Sequence, residues 1–170
     1  INATGTISGA TITGDIGQFT NITGVLGVFE TVSGTTVTGD TVALNAPTID
    51  ASGDLGGTVL IGGNIRGSGD LKHSQETYVI PGTKIFADSL TDGDGGTIVL
   101  FADNLLEYGG HLSVRGGPEG GNGGFIETSA LTVNHIDPDL IRDISAPMGE
   151  FGTWMIDPDV DLSTVTLWDA

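Results

Sequence analysis

Short apolar alternations bordered by glycine recur along the whole chain. Residues 7–15 read ISGATITGD and residues 32–40 read VSGTTVTGD; six of nine positions are identical, at an offset of 25 residues. Between them FTNITGVLG (19–27) keeps the same order of apolar residue, Thr and Gly. Further on, GGTVLIGG (56–63), GGTIVLFAD (95–103), GGFIETSA (123–130) and GTWMIDP (152–158) set glycine directly before an apolar run. Those glycine starts are 39, 28 and 29 residues apart. β-Branched residues in period-two alternation predict strands. Each run is too short to bury a face alone, so a stack of repeated units is expected.

The stack predicts a β-solenoid whose rungs pile along one axis, with glycine at the corners. A tight corner needs positive φ, which glycine reaches without steric cost and Asn tolerates next best. Asn122 inside GGNGG (120–124) fits that use. An antiparallel sandwich or barrel is the competing arrangement. It is disfavoured because Asn-Gly, the preferred two-residue hairpin turn, occurs only at Asn122-Gly123. The expected interior comprises Val59, Ile61, Ile65, Ile98, Leu100, Ile126 and either Met155 or Ile156. Residues 137–143 (DPDLIRD) predict a single helical turn, with Asp137 as cap and Pro138 in the first position.

Lys and Arg total 5 against 22 Asp and Glu, a formal net charge of −17. Such a surface repels phosphate backbones and anionic membrane, so neither nucleic acid nor membrane insertion is expected. Charged residues make up only 16% beside 38% apolar content, which speaks for a folded chain. Residues 1–50 contain no Lys or Arg. They read as Thr/Gly-rich short β repeats with a 25-residue period, continuous with a second unit at 51–170. There is no cysteine, which excludes disulfides and thiolate chemistry. The start at Ile1 and end at Ala170 read as a segment of a longer chain.

Read in order, three stretches downstream of residue 56 form a distinctive succession. They are GGTVLIGGNIRGSGDL, then the run from ETYVIPGTKIFADS through GDGGTIVLFAD and RGGPEGGNGGF, and finally SAPMGEFGTWMIDP. Over residues 56–158 this resembles the filamentous-haemagglutinin-like exoproteins of two-partner secretion. The resemblance implies a right-handed parallel β-helix, export to the surface of a Gram-negative bacterium by an outer-membrane transporter, and a role in attachment. The partner would be a glycan or protein of a host or neighbouring cell. It implies no catalytic residues.

Candidate chemistry is sparse. The glycine cluster at 116–124 lacks the Gly-Lys-Ser/Thr of a nucleotide loop. Asp92 and Asp94, two apart in DGDGG, are weak Ca²⁺ candidates without the distal Glu of an EF-hand; no other metal or cofactor is expected. The spacing of Asp157, Asp159 and Asp161 is similar and reads as a turn. His73, His111 and His135 are dispersed. Asn2 and Asn21 begin glycosylation-type triplets. The expectation is a non-catalytic adhesive shaft. Alternatives are a polysaccharide-active β-helix enzyme, a Thr-ladder ice-binding module built on Thr11, Thr13, Thr36 and Thr38, and an end-to-end self-assembling filament subunit.

Overall fold

The computed structural model describes residues 21–23, 31–32 and 36–158. Strands β1 (Asn21–Thr23) and β2 (Thr31–Val32) come first. The next turn comprises β3 (Thr36–Thr38), β4 (Thr41–Leu44) and β5 (Thr48–Asp50), followed by β6 (Thr58–Ile61), β7 (Glu76–Val79) and β8 (Lys84–Phe86). Two more turns comprise β9 (Thr97–Phe101), β10 (Leu105–Tyr108) and β11 (His111–Ser113), then β12 (Phe125–Ala130), β13 (Thr132–His135) and β14 (Ile141–Asp143). Strand β15 (Thr153–Pro158) opens a further turn.

Each of the four turns from β3 to β14 contributes one strand to each of three sheets, ordered β1-β3-β6-β9-β12-β15, β13-β10-β7-β4 and β14-β11-β8-β5-β2. Every pairing between described strands is parallel. The chain is therefore an all-β solenoid of about 4 turns, and the hairpin-linked alternative does not apply to the described residues.

Register converts alternation into columns, because strand side chains point to opposite faces in turn. In the first sheet Val59, Ile98, Ile126 and Trp154 align, as do Val37, Ile61, Leu100, Thr128 and Ile156. Leu44, Val79 and Tyr108 line the second sheet, and Ile49, Ile85 and Leu112 the third. These apolar residues form one continuous buried core down to Ile126, with Trp154 partly buried against it. Val59, Ile61, Ile98, Leu100 and Ile126 are interior as expected.

Three expectations need correction. Ile65 is 38% exposed, because it lies in a 3-10 turn (Ile65–Gly67) on an excursion that leaves the rung after β6. At the last strand Trp154 takes the inward place; Met155 is on the opposite parity, and Ile156, although in the Leu100 column, is 48% exposed. Residues 137–143 form no helical turn. The Leu140 N–H donates to the Asp137 carbonyl and the Asp139 N–H to Asp137 Oδ1, closing an Asx-type turn from which β14 starts at Ile141.

The repeats also find their geometric meaning. The first-sheet register advances by 28 residues from Thr97 to Phe125 and from Phe125 to Thr153, but by 39 from Thr58 to Thr97. The longer step contains the excursion after β6. Of the 25-residue blocks, residues 7–15 lie outside the described residues. In the second block Thr36 pairs with Asn21 on one side and Leu60 on the other, so its column is not one of threonine, whereas Thr38 pairs with Thr23. Thr11 and Thr13, and the triplet at Asn2, also lie outside the described residues.

GGNGG is a corner between stacked rungs. Gly121 has φ +94, and a Cβ placed there would lie 2.0 Å from the Gly93 carbonyl oxygen of the rung below. Backbone strain and overlap with an immovable carbonyl act together at this position. Gly121→Ala is expected to cost ~2 kcal/mol or more, lowering the melting temperature by about 5 °C or more. Thermal unfolding followed by circular dichroism checks this against Gly69→Ala, where φ is +74 but the nearest atom is a side-chain nitrogen 3.7 Å away.

Candidate functional site

The outward face of the first sheet holds a buried acid beneath a crossing loop. Leu60, Val99, Glu127 and Met155 align in register on that face. Outward positions of a solenoid are ordinarily wet, yet Val99 and Glu127 are both 0% exposed. Their cover is the excursion between β6 and β7, residues 62–73, which lies across the sheet as a strap. Gly63 and Gly67 sit against the Phe101 ring, where added Cβ atoms would come within 2.5 and 2.8 Å of ring carbons. Glycine is required there because the strap backbone rests directly on the ring.

Glu127 is held by one strap contact: the Arg66 N–H donates to its Oε1 at 2.8 Å. Its Oε2 is buried and has no hydrogen-bond partner among the described residues. Burial pushes the Glu127 carboxyl above the usual carboxylate range; the Arg66 N–H and the Ser129 hydroxyl oppose this, and the nearby Asp157 carboxylate reinforces it. Arg66 has φ 53, left-handed for a non-glycine residue. Its guanidinium reaches Met155 Sδ at 3.6 Å.

Beside the strap is an open groove of about 360 Å³, lined by Arg66, Phe101, Asp103, Ser129, Leu131 and Asp157. Asp103 accepts from Gln75 Nε2 at 2.7 Å and faces His73 Nδ1 at 2.9 Å, while the His73 ring packs on Phe101 with centroids 4.7 Å apart. Donors, carboxylate acceptors and a ring edge thus share one concave surface, a lining suited to a hydroxyl-rich ligand.

A second polar group is structural. Asp88 is buried, accepting from Ser113 Oγ at 2.6 Å and the Arg115 N–H at 2.7 Å through Oδ1. Its Oδ2 accepts from Arg115 Nε at 3.0 Å and Nη2 at 2.8 Å. The fork-shaped guanidinium and the carboxylate match in geometry, and the pair bridges successive rungs. Asp88 also holds Arg115 above its already high ordinary pKa, chiefly through these hydrogen bonds.

The calcium candidates are used differently from one another. Asp94 Oδ1 accepts the Asn122 N–H at 2.7 Å, tying two corners together. Asp92 is exposed, with its backbone bridged to Gly120. Among the described residues no three His, Asp or Glu side chains gather as a metal-holding group. The histidines stay apart: His111 meets Phe86 edge-on, and His135 tilts against Tyr108. Asp157 lines the groove; Asp159 and Asp161 lie outside the described residues.

No protein-family model matches the chain, and no curated protein matches it in sequence. The groove was not legible in the sequence. It depends on residues up to 91 positions apart, and the only local hint was the lengthened 39-residue spacing.

Removing Arg115 leaves the Asp88 carboxylate buried without its charge partner, whereas Asp88→Asn leaves a half-exposed guanidinium that water can solvate. Arg115→Met is therefore expected to cost about 3 kcal/mol, and Asp88→Asn about 1–2 kcal/mol. Urea unfolding of the two variants measures the order; equal losses, or a larger loss for Asp88→Asn, contradict it.

Proposed function

We propose that the chain is a non-catalytic, adhesive shaft segment of a secreted protein displayed on a Gram-negative cell surface, of the filamentous-haemagglutinin-like type. The observation that carries this reading is the parallel solenoid in which GG-strand motifs fall on successive rungs. Their order along residues 56–158 is the one that resembles that family. A solenoid of this kind extends by adding rungs, so it serves as a spacer that sets a binding surface away from a membrane. Its acidic surface selects against nucleic acid and anionic lipid, and favours glycan or protein contacts on a host or neighbouring cell. Export would use the outer-membrane transporter of the secretion pair, acting through a region other than these residues. Sister molecules would stack end to end through their open strand edges.

The groove beside the strap supports a second reading, a polysaccharide-active enzyme, because Asp103 and Asp157 are both present on its lining. One incubation separates the two. Immobilised chain is exposed to cells and to a panel of neutral and acidic glycans, with and without chelator, and the supernatant is assayed for new reducing or unsaturated ends. Retention of glycans or cells, unchanged by chelator and without new ends, is the expected outcome. Product release supports the enzyme; neither retention nor product overturns the adhesive role.

A further inference from the structure

We propose that residues 62–73 form a proton-controlled strap over the outer face of the first sheet, closed while the Glu127 carboxyl is neutral and released as it ionises. This inference concerns the strap alone and does not depend on the adhesive reading.

The strap is well anchored only at its feet. The Gly62 N–H donates to the Val37 carbonyl at 2.8 Å, and the Ser74 N–H to the Gly62 carbonyl at 2.7 Å. Its middle satisfies itself, with Gly67 N–H to Asn64 O and Ser68 N–H to Ile65 O. Ile65, Ser68, Gly69, Asp70 and Lys72 all face solvent, so the apolar contact that holds the strap down is confined to Gly63, Gly67 and His73 against the Phe101 ring. Its middle reaches the sheet through the Arg66 N–H to Glu127 Oε1 and the Arg66 contact with Met155 sulfur. Arg66 holds a left-handed φ of 53, a strained conformation for a non-glycine residue.

The charges around Glu127 set the sign. Val99 on β9 and Met155 on β15 flank it in register and carry no charge. Asp157 on β15 repels an ionised Glu127, while Arg66 on the strap attracts it. The Ser129 hydroxyl on its own strand favours the ionised form, yet it donates to the Asp157 carbonyl at 3.3 Å and leaves Oε2 without a partner. At the strap's far foot His73 faces Asp103, and Lys72 pairs with Asp40 at 2.5 Å. A neutral carboxyl tolerates the dry position. An ionised one leaves Oε2 charged, buried and without a partner, and lifting the strap lets water reach it.

Burial raises the Glu127 pKa in the closed state. Its contribution to closure is therefore complete below the solvated carboxylate range, about 4.3. Above that it falls by up to tenfold in the closed-to-open ratio per pH unit, and it is gone once pH passes the raised value.

Hydrogen exchange of the Arg66, Gly67 and Ser68 amides, corrected for intrinsic rates between about pH 4.5 and 8.5, tests this. Ile98 and Ile126 amides serve as internal reference. In the unaltered chain, strap protection should fall about tenfold or more while the reference holds. In Glu127→Gln, which stays neutral and nearly isosteric, it should stay flat. Constant protection in the unaltered chain, or the same pH profile in Glu127→Gln, overturns the proposal. Should Glu127→Gln fail to fold, carbon-13 titration of the Glu127 carboxyl in the unaltered chain decides: a midpoint above the ordinary carboxylate range supports the strap mechanism, and one at or below it overturns it.

Discussion

The rung-to-rung backbone hydrogen bond is the constraint on which the described structure depends. A strand of three to six residues makes no internal hydrogen bonds, and its buried N–H and C=O groups must be paired. Here the partner is always the strand one turn away, in parallel register. Parallel stacking then holds consecutive rungs at the sheet spacing of ~4.8 Å, at the corners as well as along the strands. Where corner backbones approach that closely, a Cβ has no room. The Gly121 position against the Gly93 carbonyl shows the same constraint from the side-chain viewpoint.

Register also decides what a polar residue can do. Asp88 and Glu127 are both buried acids, yet they stand in opposite conditions. Asp88 has a guanidinium, a backbone N–H and a hydroxyl around its two oxygens, so its charge is compensated and the pair clamps adjacent rungs. Glu127 has one backbone N–H and an unmatched second oxygen, because the Arg66 guanidinium of the loop that covers it reaches the Met155 sulfur instead of the carboxylate. A satisfied buried acid rigidifies its surroundings, whereas a half-satisfied one carries the cost of its unpaired oxygen.

Beyond the fourth turn the core pattern loosens. In the third sheet the column Ile49, Ile85, Leu112 continues at Arg142, whose guanidinium carbon lies 3.8 Å from the Trp154 ring centroid. A cation over an indole face satisfies both groups without a dry aliphatic interior. Met148 and Phe151, 68% and 77% exposed, are among the apolar side chains left uncovered in this last described turn.

Strand positions, corner glycines and the stacking principle were legible in the sequence, because period-two alternation and positive-φ requirements are local properties. The apolar columns through Val59, Ile98 and Ile126 followed from the GG-strand spacing. Ile65 was misplaced because its local pattern matches a strand, while its actual position depends on where the chain leaves the rung. The choice between Met155 and Ile156 stayed open because a one-residue difference in register exchanges the faces, and only the pairing partner fixes register. The burial of Glu127, the groove beside Arg66 and the Asp88–Arg115 clamp were decided by tertiary structure alone. Each joins residues from different turns, and one-dimensional spacing does not say which outward position a distant loop will cross.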